Sequence, residues 1–401
     1  MSALLGRALI LVENLSVPFD RRVWQEARSL TEAGYGVTVI CPQGRGRDTE
    51  AHVVLEGVDI HRYPLDAADG GALSYAREYA SALSRTAFLI RRLGRSTAFD
   101  VVHACNPPDA LILTASFLRR RGAAVVFDHH DLVPELFISR FDRRGPLHRA
   151  TLVAERLAFR LADVVLSTNH SYRRVALERG HKSSEDVFVV RSAPDTDSFR
   201  SVPADDSLRR GERHLLAYLG VMGPQDGVDH ALKALAALRR TRSDWHAIFV
   251  GAGDVFDEMK ELAIELGLGG SVEFTGRIPD EDMIRILSSA DVCLSPDPKN
   301  PLNDVSTMNK VVEYMALSRP IVSYDLTEAR VSAGSAARYA APNDVHDFAR
   351  CIGELLDSPT HRDEMGRAGR RRVEEELSWR CSEEQLLAAY ARSLELAQRR
   401  R

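Results

Sequence analysis

The chain has 401 residues, 44% of them apolar, and its 53 Lys and Arg against 57 Asp and Glu leave a formal charge of −4. This composition excludes a disordered or collagen-like chain and provides no global basic field for nucleic acid. No apolar run approaches the roughly 18 residues of a membrane span, so no transmembrane segment is expected.

At roughly 150 residues per domain, the length predicts two or three domains. In chain order, the apolar run after Arg7 is too short for a signal peptide and reads as a first strand. Short β-branched runs then alternate with amphipathic segments, as in βαβ units with parallel sheets. Strands are predicted at 8–12, 37–41, 58–62, 101–104, 124–127, 164–167 and 187–190. Between the first two, residues 21–33 put Val23, Ala27 and Leu30 on one helix face, and Gly34 and Gly36 end that helix. Residues 191–210 are rich in Pro, Asp and Ser, lack periodicity and read as an interdomain linker. A second series follows, with strands at 215–219, 246–250, 272–275, 292–295 and 321–324 and a short one at Tyr339. The tail from about His361 is helical and strongly charged.

The fold class is therefore α/β, with two Rossmann-like, doubly wound domains facing a cleft. The expected boundaries are 1–190, a linker over 191–210, 211–375, and a C-terminal helix over 376–401 that is a candidate to pack back on the first domain. Ligands of such sheets sit at the carboxyl ends of the strands, so the cleft is the default site. Cys41, Cys105, Cys293, Cys351 and Cys381 are widely spaced with no Cys-x-x-Cys pair. That pattern is expected of a reducing, cytoplasmic compartment and not of a disulfide scaffold or structural zinc.

Four segments carry candidate chemistry. In LLAYLGVMGPQDGVDH a strand runs into Gly220, Gly223 and Gly227, with Gln225 among them, and a helix begins near Val228. Such glycines admit close backbone approach, and a helix start favours an anion; an ordinary tight turn has the same composition. In ADVCLSPDPKNPLNDVSTMNKVVEYMALSRP a helix is expected to open at Ser306 or Thr307. Met308, Val311, Val312 and Met315 form its buried stripe, while Asn309, Lys310 and Glu313 lie off it. Lys310 with the helix start suits a diphosphate, and a carboxylate one turn on suits ribose hydroxyls; a surface ion pair is the plainer alternative.

In VVFDHHDLVPELF, His129 and His130 must point to opposite faces if both lie on the strand. A metal ligand, a structural histidine and a polar group aimed into the cleft all remain open there. Asn14, Asp20, Arg21 and Arg22 follow the first strand, where Asp20 serves either an acceptor or the helix as N-cap. Asn106 holds the comparable place after the fourth strand.

Together these segments resemble a retaining glycosyltransferase of the large bacterial family 4. Its parts run in order over nearly the whole chain: DRRVWQEARSL, a strand ending in HHD, LGVMGPQDGVDHAL, FVGAGD, VEFTGRIPDEDM, ADVCLSP and NKVVEYMALSRPIV. The resemblance implies the GT-B fold with C-terminal helices. It also implies transfer, with retention, of a sugar from a nucleotide diphosphate sugar to an acceptor hydroxyl on a polysaccharide, glycolipid or small metabolite. The nucleotide sugar is then a co-substrate, and no cofactor, metal or protein nucleophile is expected.

By position, Glu313 resembles the ribose-holding glutamate and Lys310 sits near the diphosphate. Ser306, Thr307, Met308 and Asn309 face phosphate and sugar, Arg277 the base, and Gly251 with the earlier glycine loop the donor. His130 resembles the histidine beside the reacting carbon. Asn14, Asp20, Arg21, Asn106 and Asp131 are the acceptor candidates. Two departures stand out: Val305 occupies the place of a first glutamate, leaving Asp304 or Asn303 to replace its contact, and Val221 and Asp226 stand where Arg and Lys are usual. A nucleotide-sugar epimerase and a non-catalytic nucleotide-sugar-binding partner subunit are the alternatives. Arginines at 119–121, 143–144 and 173–174 are candidate contacts with anionic lipid at the inner membrane face, or simply solvated helix faces.

Overall fold

A computed structural model of the chain describes residues 4–44, 46–65, 72–141 and 144–400. It divides into two compact units, one of residues 1–192 with 380–401 and one of residues 193–379. In the first unit β1 (Arg7–Leu11), α1 (Arg21–Glu32), β2 (Gly36–Pro42), β3 (His52–Leu55), β4 (Val58–Tyr63) and α2 (Ala72–Ser96) come first. There follow β5 (Val101–Cys105), α3 (Ser116–Arg119), β6 (Ala124–His129), α4 (Val133–Phe141), α5 (Pro146–Leu161), β7 (Val164–Ser167), α6 (His170–Glu178) and β8 (Val187–Val189).

The eight strands form one sheet in the order β3-β4-β2-β1-β5-β6-β7-β8, parallel except for β3 against β4. In β1, Leu9 lies opposite Thr38 on one side and Val102 on the other. Helices on both faces bury the central strands completely, which is why they read as unbroken apolar runs rather than alternating ones. The predicted strands all form. Strand β3 was not predicted: it is a short, largely exposed edge strand joined to β4 by the two-residue turn Glu56-Gly57, both residues with positive φ.

The second unit contains β9 (His214–Leu219), α7 (Val228–Arg239), β10 (Trp245–Val250), α8 (Phe256–Glu265), β11 (Val272–Gly276), α9 (Asp280–Ser289) and β12 (Val292–Ser295). Then come α10 (Asn309–Ala316), β13 (Ile321–Tyr324), α11 (Thr327–Ala333), β14 (Ala337–Ala340), α12 (Val345–Asp357) and α13 (Pro359–Arg372). Its parallel sheet has the order β11-β10-β9-β12-β13-β14. Each sheet reverses its winding beside its first long strand, at β1/β5 and at β9/β12. Those are the points where a doubly wound sheet opens a crevice at its carboxyl edge.

Two boundaries differ from expectation. Much of the expected linker is built into the second unit: Phe199 is buried in its core, Val202 and Asp205 donate backbone N–H groups to Ser288 and Ser289, and Arg370 bonds the Phe199 carbonyl. Polar composition concealed one buried aromatic anchor. The last helix, α14 (Trp379–Arg400), packs with the first unit from Arg380 onward. Tyr390 is buried and bonds His103 at 3.0 Å, Arg392 pairs with Asp186, and Arg400 pairs with Asp163.

Candidate functional site

The carboxyl end of the second sheet is shaped by glycines. Gly220, after β9, has φ 156° and Gly251, after β10, has φ 129°, conformations that side chains rarely adopt. A Cβ on Gly251 would overlap the Gly220 carbonyl, so these two turns pack backbone to backbone only without side chains. Gly251 also donates its N–H to Gly276 at the end of β11, and the exposed Arg277 follows directly. Gly227, at φ 70°, caps α7, where a Cβ would overlap the Pro296 carbonyl beyond β12. Gly223 donates its N–H to Asp226 at 2.9 Å, and the Gln225 carbonyl accepts from Asn303 at 2.9 Å.

Lys310 lies at this junction. Its stem is within reach of Gly220, where a Cβ would stand 3.2 Å from Lys310 Cε. The ammonium donates to Asp297 at 2.6 Å and lies 5.1 Å from the centre of the Tyr218 ring. Burial opposes its charge, but Asp297 outweighs burial and holds Lys310 above the ordinary lysine range, so it stays protonated. Asp297 is fully buried and also accepts from Ser295 at 2.7 Å.

The helix start differs from expectation. Helix α10 opens at Asn309, with Met308 as N-cap and no side-chain cap bond. Ser306 instead closes a 3₁₀ turn over Asn303–Val305: its N–H bonds Asn303 and its hydroxyl donates to Leu302 at 2.8 Å. Ser306, Thr307 and Met308 are thus half-buried residues of the approach to α10. Lys310 is buried with Val311, Val312 and Met315 rather than lying off their stripe, because Asp297 satisfies its charge inside the fold. Asn309 is exposed and Glu313, one turn later, is half-buried. Asp304 turns to another neighbour, accepting from the N–H and hydroxyl of Thr327 at 2.9 and 3.1 Å and pairing with Lys299 at 3.3 Å. It therefore anchors the start of α11.

In the first unit β6 ends with His129 and His130 on opposite sides. His129 is buried against Phe127, Phe159 and Tyr172, and burial, then Arg179, pulls it down to about 3. His130 is part-exposed. Its Nε2 contacts Asp128, and its N–H donates to Asn106 at 2.6 Å. Asp128 is buried within a charged group: Arg22 reaches it at 2.8 and 3.2 Å, and His103 lies 3.3 Å away. Burial opposes the Asp128 charge, but Arg22 and His130 hold it well below the usual carboxylate range. Arg22 also donates to the Val190 carbonyl at 2.8 Å.

Of the acceptor candidates, Asp20 caps α1 by accepting from Val23 at 3.1 Å. The buried Asn106 side chain donates to Asp109 and to the Asp131 carbonyl, both at 2.7 Å, and accepts from the Asp131 N–H at 3.1 Å; it clamps the end of β6. Asn14 and Arg21 are exposed, and Asp131 is partly so.

Sequence reasoning passed over Asp297, two residues past the end of a strand it had identified. It also passed over Glu13, whose buried carboxyl is raised to about 8 by burial and then by Glu78. The signal for both was an acidic residue two positions past the end of a buried strand. Among the described residues, two groups gather potential metal ligands. One comprises Glu26, His103, Cys105 and Asp128, the other His52, Asp59 and His61. The first is occupied by the Arg22 guanidinium, 3.2 Å from Glu26 and 2.8 Å from Asp128, a charge that repels a cation.

Comparison with known proteins gives this geometry a context. Residues 204–372 match the family model for glycosyl transferases group 1, and residues 20–192 match that for a glycosyl transferase 4-like domain. An MMP alpha-(1->4)-mannosyltransferase from Mycolicibacterium hassiacum is 31% identical over 311 residues, 75% of this chain and 72% of that protein. A glycogen synthase from Mycobacterium tuberculosis is 25% identical over 379 residues, 90% of this chain and 87% of that one. In fold, a sucrose-phosphate synthase from Thermosynechococcus elongatus superposes with a TM-score of 0.78 at 17% identity, covering 96% of this chain and 98% of that one. An Anabaena HepE structure in complex with UDP-glucose superposes with a TM-score of 0.71 at 16% identity, covering 96% and 99%. The relatives are transferases and give no support to an epimerase. The chain belongs to the group 1 glycosyltransferases, with a 4-like N-terminal domain and the GT-B fold.

Proposed function

We propose that this glycosyltransferase acts with retention, using a nucleotide diphosphate sugar whose diphosphate lies against the glycine turns after β9 and β10 and the start of α10. The observation that carries this reading is the meeting of Gly220, Gly251 and Lys310 at one sheet edge, where backbone can approach an anion closely beside a protonated cation. Glu313 holds the ribose, Asn309 and the 306–308 segment meet phosphate and sugar, and Arg277 meets the base. The transfer step uses no metal and no cofactor.

His130 orients the sugar and stabilises positive charge at the reacting carbon, and Asp128 positions it. His130 Nε2 is held between the Asp128 carboxylate and the Arg22 guanidinium, whose Nε donates to it at 2.8 Å, and these two partners fix the ring's orientation. The donor's own phosphate takes the proton of the acceptor hydroxyl.

A panel of nucleotide sugars tests this reading, scored for binding and for nucleotide release. Glu313→Ala is expected to abolish donor binding, and unchanged binding would refute the site. His130→Ala is expected to cut turnover by about 10²-fold or more with little change in donor affinity, and equal loss of both would refute its role. Tight donor binding with no turnover on any acceptor would favour a non-catalytic partner subunit.

No helix among the described residues is long and apolar enough to cross a membrane. We place the enzyme in the cytoplasm, touching the inner membrane face through α5. That helix exposes Val153 and Leu157 beside a row of exposed Arg149, Arg156 and Arg160, a pattern suited to anionic lipid. Of the arginines marked from sequence, Arg119 pairs with Asp163 and Arg173 bonds two backbone carbonyls, Arg120, Arg121, Arg144 and Arg174 are exposed, and Arg143 lies outside the described residues.

A further inference from the structure

The β3–β4 hairpin carries three potential ligands on one face. His52 lies directly opposite His61 in the antiparallel register, and Asp59 precedes His61 by two residues, so all three side chains leave the same side of the ribbon. His52 Nε2 stands 2.7 Å from Asp59 Oδ1 and His61 Nε2 stands 3.2 Å from Asp59 Oδ2. The two imidazoles stack with their centres 4.4 Å apart and their planes within 17°. His52 is more than half exposed, so the face is open to solvent.

We propose that this hairpin binds a divalent transition cation, with Zn2+ as its probe, through His52, Asp59 and His61. Two ligand atoms on one tetrahedral zinc lie about 3.3 Å apart, given bonds of about 2.0–2.2 Å. The His61–Asp59 separation of 3.2 Å is close to that value and the His52–Asp59 separation of 2.7 Å is shorter, so the His52 side chain, more than half exposed, must turn outward to admit the ion. Two imidazoles and one carboxylate select zinc-like ions over magnesium or calcium, and three protein ligands leave one position for water. The ion would pin an edge strand whose own contacts are few and exposed, and it takes no part in sugar transfer.

Zn2+ titrated calorimetrically into the tag-free, chelator-treated full chain is expected to bind one to one with micromolar or tighter affinity. His52→Ala and His61→Gln should each weaken that binding at least about tenfold, while nucleotide-sugar binding stays as in the parent. Retained zinc affinity in both variants would overturn the site. Loss in Cys105→Ser instead would move the ion to the buried group around Asp128. Because zinc binding is read directly, a chain that bound zinc but transferred no sugar would refute the proposed function and leave this site intact.

Discussion

Lys310 illustrates how one residue holds two obligations. Its ammonium is matched by Asp297, and both are buried. Breaking one half of a buried pair leaves the other charge uncompensated, at a cost of about 3–5 kcal/mol, whereas neutralising both halves costs far less. Lys310→Ala is therefore expected to lower stability by that amount in urea unfolding, and Lys310→Met combined with Asp297→Asn should recover most of it. If donor affinity stays lost in the stable double variant, Lys310 contributes to binding beyond its structural pairing.

Glu13 gives a residue-scale pH effect. Its folded pKa is raised to about 8 from the ordinary glutamate value of 4.5, so the folded chain keeps a proton that the unfolded chain releases. Its contribution to stability is complete below pH 4.5 and is lost as pH rises towards 8. Asp109 and Glu155, each raised to about 7 by burial, slope the same way. Glu13→Gln stays neutral throughout, so the variant should gain on the parent between pH 5 and 8; melting temperatures across that window that keep a constant difference would contradict this.

At the scale of elements, periodicity identified what packing required. Helix α1 buries Val23, Ala27 and Leu30, and the predicted strands lie between layers of helices. The start of α10 lies two or three residues later than expected because Ser306 and Thr307 are good caps by type, while the preceding 3₁₀ turn has already taken the Ser306 hydroxyl and N–H. On α5 the pattern is inverted: Val153 is 54% and Leu157 41% exposed, beside three exposed arginines. Replacing Arg149, Arg156 and Arg160 with Gln should abolish sedimentation with phosphatidylserine-containing vesicles, at about 1 kcal/mol for each arginine removed. Unchanged sedimentation would remove this helix as the lipid contact.

Over the whole molecule, each unit has its own apolar core, yet the first is completed by the last stretch of chain. Leu386, Ala389 and Tyr390 are buried there, and Asp163, Asp186 and His103 all have partners on α14. Truncation after Trp379 would open that core and leave His103 without its hydroxyl partner. Calorimetry should then show an early transition for the first unit and an unshifted one for the second; a single transition at the parental temperature would contradict this.

Sequence alone determined the alternation of strands and helices, and with it two parallel-sheet domains, because buried strands need apolar runs and helices need a 3.6-residue stripe. It also placed the candidate residues at strand ends, and their order along the chain carried the family resemblance. Only tertiary structure decided which charges are already answered. Asp297 against Lys310, Thr327 against Asp304, and Arg22 against Asp128 are pairings between residues 13 to 106 positions apart. Local pattern cannot register such pairs, since a buried charge takes its state from whatever the folded chain brings within a few ångströms of it.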